Sequence, residues 1–278
     1  MPMSRILLSL AGCVLAVSLT SHGHGRAAAA QASGRGTIKG HIRLTGKLPG
    51  NPVIRMGRDP MCASINSGKR TVQEFVAAGL DGSLANVFVT VQGSFQPAPA
   101  PAEPVTLDQR GCIYAPRVVG VRAGQTLQVR NSDDLLHNVH GLSAHGNGFN
   151  ISEPRAGMVQ QFHLKDEEVM VRVKCDIHSW MTAYVGVVNH PYFAVSGGTG
   201  QFEIANVPTG THRIQAWQER YGPLVQTVRV RAGVATTVDF TYTGNEKPGN
   251  AGIQDLVLPE SVRAIDFSAS HAPPQQRP

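Results

Sequence analysis

Seven residues at positions 175–181, CDIHSWM, carry three side chains that can bind a metal ion. Cys175, His178 and Met181 follow one another at three-residue intervals. A thiolate and a thioether are soft donors that suit Cu(I), whereas an imidazole suits both copper oxidation states. The spacing therefore predicts a mononuclear copper site in which these three residues are ligands.

A fourth ligand must come from another part of the chain, because one short loop cannot surround the metal. The stretch NSDDLLHNVHG (131–141) follows a predicted strand and offers His137. His140 lies three residues further on, so in an extended chain it points to the opposite face of the strand. We expect His137 to be a ligand and His140 to lie at the surface or beside the ligands.

Other readings of the same residues give different sites. Zinc prefers more Cys and His ligands and would not use Met181. A dinuclear copper centre needs a second cysteine four residues before Cys175, and Val171 stands there. Without a metal, Cys175 is a buried thiol or a disulfide partner, and Met181 and His137 are packing residues.

The composition predicts that these residues are positioned by an all-β fold. The chain has 30 Gly and 18 Pro among 278 residues, with short Val, Ile and Thr runs between turn signals. Candidate strands lie at 37–46, 84–93, 118–124, 126–131, 169–175, 183–188, 200–207, 211–218, 225–233 and 234–242. The one stretch that allows a short helix is 71–80.

A strand, an N-x-D-like turn and HNV upstream, with a C-x-x-H loop downstream, resemble the cupredoxins, the plastocyanin and amicyanin family of small blue copper proteins. The resemblance covers residues 104–190 and implies a Greek-key β-sandwich with one type 1 copper ion. It also implies that Asn138 ties the two ligand loops together by hydrogen bonds. The implied copper ligands are His137, Cys175, His178 and Met181.

The ligand loop departs from the family pattern at two positions. Small cupredoxins often have Pro before the second histidine, and this chain has Ile177; Trp180 is a large aromatic residue inside the loop. The resemblance implies that His178 lies nearest to solvent. We predict that Trp180 helps to dock a redox partner protein, such as a c-type cytochrome or a copper or redox enzyme. The alternative is that Trp180 packs inward and supports the loop.

A second pattern occupies the C-terminal part of the chain. GGTGQFEIANVPTGTHRIQAW (197–217) and VRVRAGVATTVDFTY (228–242) resemble the carboxypeptidase regulatory-like domain, a small transthyretin-like β-sandwich. The opening strands of that domain match residues 36–44 and 84–91. We therefore predict that the cupredoxin unit is inserted into this sandwich, which comprises residues 36–96 and 195–243. The alternative is an arrangement of the two units one after the other.

The N-terminal residues 1–32 have the pattern of a signal peptide. Arg5 precedes an apolar run at 6–19, and A-x-A cleavage patterns end at Ala30 and Ala32. This predicts a periplasmic or secreted protein; LAGC (10–13) offers the alternative of a lipid anchor on Cys13. No later segment is long and apolar enough for a membrane span. Residues 244–278 are predicted to be mostly disordered.

Three cysteines remain after residues 1–32, which is an odd number for an oxidising compartment. Cys175 has metal donors beside it, whereas Cys62 and Cys112 do not. The sequence therefore predicts a Cys62–Cys112 disulfide.

The remaining features limit the function classes. The net charge is +6, but Lys and Arg are not clustered, so nucleic acid is not an expected partner. No nucleophilic triad, phosphate loop or paired-carboxylate site can be assembled, so we predict that the protein is not an enzyme. The predicted function is one-electron transfer or copper carriage in the periplasm. The alternative is a structural or carbohydrate-binding protein with Trp217, Tyr221 and Tyr192 as a stacking surface.

Overall fold

The computed structural model describes residues 34–96 and 98–247. The predicted signal peptide and most of the predicted disordered tail lie outside these residues. The described part is nearly all β, which confirms the predicted fold class. Its helical structure is a 3₁₀ turn at Met56–Arg58 and the helix α1 (Pro60–Ile65). No helix in the described ranges has the length and apolar character needed to cross a membrane.

Seventeen strands are found in the described residues. In chain order they are β1 (Arg35–Leu44), β2 (Phe88–Gln92), β3 (Val105–Gln109), β4 (Tyr114–Ala115), β5 (Val118–Arg122), β6 (Thr126–Asn131), β7 (His137–Leu142), β8 (Phe149–Glu153), β9 (Val159–His163), β10 (Glu168–Lys174), β11 (Thr182–Val188), β12 (Phe193–Val195), β13 (Gln201–Pro208), β14 (Gly210–Gln218), β15 (Gly222–Val230), β16 (Ala235–Thr237) and β17 (Phe240–Tyr242).

Two sheets combine strands from both ends of the described chain. One has β1 between β13 and β16, with β17 also paired to β1; the other has the order β12-β2-β14-β15. Alternate residues of β1 point inward, so Ile38, Ile42 and Leu44 are buried in a core shared with Ile214 of β14. We call these two sheets the outer sandwich.

The strands between residues 105 and 188 form the other two sheets, with the orders β5-β11-β10-β7-β8 and β4-β3-β6-β9. Their shared core contains Leu127 and Val129 from β6, and Val173 and Val185 from β10 and β11. We call this pair of sheets the inner sandwich.

An apolar contact joins the inner and outer sandwiches. Phe88 of β2 packs with Val118 and Val188 in one buried cluster. Beside it the Arg117 guanidinium and the Glu219 carboxylate form an ion pair at 2.9 Å. The two sandwiches therefore share buried surface as well as two chain connections.

The position of the short helix differs from the sequence-based expectation. Residues 71–80 contain isolated β-bridges rather than a helix, because Val72 pairs with Val53 and Ala78 with Leu84. The helix that does form is α1, where Asp59 accepts hydrogen bonds from the first backbone N–H groups and Pro60 begins the first turn.

Candidate metal centre

The 175–181 loop joins two paired strands, β10 and β11. Lys174 and Thr182 are opposite each other in the ladder, so the loop begins and ends at neighbouring points. The Cys175 N–H donates to the Met181 carbonyl oxygen at 3.2 Å, and the Met181 N–H donates to the His178 carbonyl at 2.8 Å. These bonds close the loop into two tight turns and place Cys175 and His178 side by side.

His137 reaches the same point from the adjacent strand. β7 pairs antiparallel with β10, with His140 opposite Lys174, so His137 at the start of β7 lies beside the loop. His137 Nδ1 is 3.1 Å from His178 Nδ1, and the Cys175 sulfur is 3.7 Å from His178 Nδ1. All three side chains are buried, and one donor atom from each lies within 4.8 Å of the others. Three of the four predicted ligands are thus brought together.

Both imidazoles direct a lone pair at this point. His137 Nε2 is 2.9 Å from Asp133 Oδ2, and His178 Nε2 is 3.0 Å from Asp59 Oδ2. The pKa values of both carboxyl groups are lowered. For Asp59 the largest cause is the hydrogen bond from His178. For Asp133 burial raises the pKa, but the hydrogen bonds from His137 and two backbone N–H groups outweigh burial. A carboxylate only accepts hydrogen bonds, so each Nε2 carries the proton and each Nδ1 carries a lone pair. Two such lone pairs at 3.1 Å need a proton or a metal cation between them.

The third donor is the Cys175 sulfur, whose thiolate form is stabilised by its surroundings. Burial opposes ionisation of Cys175, but hydrogen bonds from His137 and from backbone N–H groups outweigh it and lower the pKa of the thiol to about 7. The N–H groups of Asn138 and His178 each lie 3.4 Å from the sulfur. In the metal-free protein the pKa of His137 is raised: burial lowers it, but bonds to Asp133 and Cys175 outweigh burial. A proton on His137 beside the thiolate then takes the place of a metal cation.

The other two residues predicted for the site lie next to these donors. Met181 is fully buried in the inner core at the end of the ligand loop. Asn138 contacts both loops: its backbone N–H points to Cys175, and its side-chain oxygen accepts from the Asp176 N–H at 3.1 Å. Its side-chain amide also donates to the Ile151 carbonyl oxygen at 3.1 Å.

The environment of His178 differs from the expectation drawn from the resemblance. Its side chain is 2% exposed, because Asp59 and the start of α1 cover the ring edge that was expected to lie nearest to solvent. This covering segment precedes the 104–190 region, so the sequence pattern of that region gave no sign of it.

Trp180 takes an inward, supporting position. It is half-buried, its Nε1–H donates to the Cys112 carbonyl oxygen at 2.9 Å, and its ring lies 5.2 Å from that of His178. The position favours packing over the predicted docking role. Residues next to the two histidines are more exposed: Leu136 is 45% and Ile177 47% accessible.

The predicted disulfide is confirmed, since Cys62 and Cys112 are bonded and Cys175 is free and buried. His140 lies on the opposite face of β7 from His137, partly exposed, with its Nδ1 3.0 Å from an oxygen of Asp176.

The aromatic residues proposed for sugar stacking do not form an exposed surface. Tyr192 and Tyr221 are buried in the outer core. Trp217 packs against Tyr184 of β11 with ring centroids 5.0 Å apart. Their inward positions remove the feature on which the carbohydrate hypothesis depended.

Sequence reasoning missed two functional candidates, Asp59 and Asp133. Asp133 could have been noticed, because it lies in the NSD turn four residues before His137. For Asp59 the sequence offers a helix-start signal only, and its contact with His178 spans 119 positions.

Parts of the chain are weakly similar in structure to known copper proteins. No protein-family model and no curated protein matches the chain. Among solved structures, a copper-containing nitrite reductase from Thermus scotoductus is 20% identical, with a TM-score of 0.30, over 34% of this chain and 26% of that chain. A Cu(I) amicyanin variant is 17% identical, with a TM-score of 0.28, over 36% of this chain and 97% of that chain. A purple cupredoxin from Nitrosopumilus maritimus is 22% identical, with a TM-score of 0.26, over 30% of this chain and 97% of that chain.

Proposed function

We propose that this protein binds one copper ion through His137, Cys175 and His178, with Met181 as a weak axial ligand. The observation that carries the proposal is the meeting of two imidazole Nδ1 atoms and one cysteine sulfur at one buried point. One thiolate with two imidazoles is the donor set of a type 1 copper site. The fully buried Met181 at the end of the same loop supplies the thioether that such a site uses.

The proposed role is one-electron transfer or copper carriage outside the cytoplasm. Bound copper would supply a one-electron redox couple. The chain contributes a rigid, buried donor set: the imidazoles are fixed by carboxylates, and the sulfur is held by backbone N–H groups. Little rearrangement would then accompany a change of oxidation state. The disulfide supports an oxidising compartment such as the periplasm.

The proposal includes the organisation of the chain. Residues 104–190 form a cupredoxin-like unit inserted into a carboxypeptidase regulatory-like sandwich of residues 36–96 and 195–243. The pairing of β1 with β13 and of β2 with β14 supports this division. We assign no catalysed reaction to the protein. A redox protein would dock near the exposed Leu136 and Ile177, close to the two histidines.

Copper titration of the purified protein tests the proposal. One equivalent of Cu(II) should produce an intense visible thiolate-to-copper charge-transfer band. Cys175→Ser should remove this band. Met181→Leu should keep it and raise the reduction potential, because the axial thioether is weak and long. An unchanged spectrum in Cys175→Ser, or a protein that binds no copper, would show the assignment to be wrong.

A further inference from the structure

In both candidate imidazole ligands, the Nε2 atom contacts a carboxylate, on the side of the ring away from Nδ1. Asp133 accepts from His137 Nε2, and Asp59 accepts from His178 Nε2, at 2.9 and 3.0 Å. Asp133 belongs to the loop between β6 and β7, whereas Asp59 is the N-cap of α1. Two separate segments therefore supply one carboxylate each to the site.

The disulfide connects these two carboxylates. The Cys62 N–H donates to Asp59 Oδ1 at 3.0 Å, and the Cys112 N–H donates to Asp133 Oδ2 at 2.8 Å. Since Cys62 and Cys112 are bonded to each other, a continuous series of hydrogen bonds and covalent bonds connects one imidazole to the other. The Cys62 sulfur itself lies 3.6 Å from His178 Nε2.

We propose that Asp59 and Asp133 are positioning residues of the metal centre, joined by the Cys62–Cys112 disulfide into one clasp whose integrity sets how tightly the centre holds its metal. The inference rests on the proposed function and adds a regulatory element to it. Each carboxylate keeps the proton of its histidine on Nε2, so that Nδ1 is free to bind the metal. The disulfide keeps both carboxylates in place.

Opening the disulfide should loosen the His178 side in particular. A dithiol reductant would supply two electrons and two protons, converting Cys62 and Cys112 to thiols while the reductant forms its own disulfide. Helix α1 would then be held near residue 111 by weaker contacts, such as the bond from the side chain of its C-cap residue, Asn66, to the Gly111 carbonyl at 3.0 Å. A reduced clasp should therefore hold metal less tightly than an oxidised one.

Two substitutions at Asp59 separate positioning from simple folding. In Asp59→Asn the side-chain oxygen can still cap α1, but the amide donates to His178 Nε2 and forces the proton onto Nδ1. In Asp59→Ser the cap is retained, but the side chain is too short to reach the imidazole. We expect Co²⁺ affinity to fall by about 10- to 100-fold in Asp59→Asn, and by less in Asp59→Ser. Asp134→Asn, the same charge change at an exposed side chain next to Asp133, should bind Co²⁺ as the wild type does.

The histidine tautomer provides a readout that needs no metal. Long-range proton–nitrogen NMR spectra of the metal-free protein should show the His178 proton on Nε2 in the wild type and on Nδ1 in Asp59→Asn. An unchanged tautomer together with unchanged Co²⁺ affinity would overturn the positioning role. If the wild type binds no metal but the tautomer changes as expected, the proposed function and the control of metal affinity both fail, and only the positioning of the His178 imidazole by Asp59 stands.

Breaking the disulfide tests the coupling. The double variant Cys62→Ser/Cys112→Ser, and the wild type reduced with dithiothreitol and then separated from it by anaerobic desalting, should both lose Co²⁺ affinity by tenfold or more. Circular dichroism and the NMR spectrum establish that the protein under test is folded; should the double variant not fold, the dithiothreitol-treated wild type decides. Unchanged affinity in a folded protein without the disulfide would overturn the coupling, as would a gain in affinity or the binding of a second Co²⁺ equivalent.

Discussion

At the scale of single residues, Glu153 stands out because its carboxyl group is buried next to His137 on the paired strand. One of its oxygens accepts a hydrogen bond from the Gln109 amide, and the other lacks a hydrogen-bond partner. The Gln109 side-chain oxygen also lacks one. Burial raises the pKa of Glu153 to about 7, although the bond from Gln109 opposes this. A protonated Glu153 could donate to Gln109 and satisfy both oxygens.

This arrangement predicts a pH-dependent stability. The pKa of Glu153 rises from 4.5 to about 7 on folding. Its contribution is therefore full below about pH 4.5 and is lost as the pH rises through about 7. Glu153→Gln keeps two complementary amides at all pH values. Relative to the wild type it should gain about 2–3 kcal/mol of unfolding free energy between about pH 5 and pH 8.

Urea denaturation of both proteins at several pH values measures the difference. Because the wild type and the variant share all other titrating groups, subtraction removes the contribution of those groups and leaves that of Glu153 together with its coupling to the charge of His137. A constant difference across the range would mean that Glu153 stays ionised in the folded protein.

At the scale of elements, two glycines on neighbouring strands receive an aromatic ring from the other sandwich. Gly120 of β5 and Gly186 of β11 are paired across the ladder, and Phe88 of β2 packs onto them. A Cβ atom at position 186 would lie 2.6 Å from the Phe88 ring. Since Phe88 is fully buried, the ring has little room to move.

Gly186→Ala should therefore lower the unfolding free energy by about 1–3 kcal/mol, the usual cost of overpacking. The copper spectrum should not change, because the contact is remote from the ligand loop. Gly197→Ala is the matched control: its added methyl group would meet nothing within 4 Å. Equal melting temperatures for the two variants would show that Phe88 can shift without cost.

The sequence reveals some elements better than others for a physical reason. β1 and β6 alternate apolar and polar residues, as do residues 171–174 of β10 and 201–204 of β13, so burial of one face can be predicted from the residues themselves. In β7, HNVHGL, buried positions carry His137 and Asn138, whose burial depends on partners from other segments. In such a strand, apolar and polar residues do not alternate in a way that predicts which face is buried.

The same distinction applies to the candidate site. The closeness of Cys175 and His178 was predictable, because the two residues lie three positions apart in a short hairpin connection. The covering of His178 was not predictable, because Asp59 and the disulfide meet it only after α1 packs on the inner sandwich. The spacing of residues within a short loop indicates which side chains lie close together. It gives little information about the residues from distant segments that hydrogen-bond to those side chains.

At the scale of the whole molecule, the chain leaves and re-enters the outer sandwich at adjacent points. β12 pairs antiparallel with β2, with Phe193 opposite Thr90. The Val91 N–H also donates to the Tyr192 carbonyl at 3.0 Å. The whole inner sandwich therefore occupies the position of a hairpin connection between two paired strands.

This connectivity predicts that the outer sandwich can fold without the inner one. In the tested variant a short turn containing Asn-Gly replaces residues 94–190, and Cys62→Ser removes the thiol left without its partner Cys112. We expect a cooperatively folded β protein by circular dichroism, with a lower melting temperature than the full chain because Phe88 loses its cover. The variant should bind no copper, since His137, Cys175 and His178 are deleted. An unfolded product, despite an intact β1–β13 and β2–β14 sequence, would mean that the contacts around Phe88 and α1 make the two sandwiches a single folding unit.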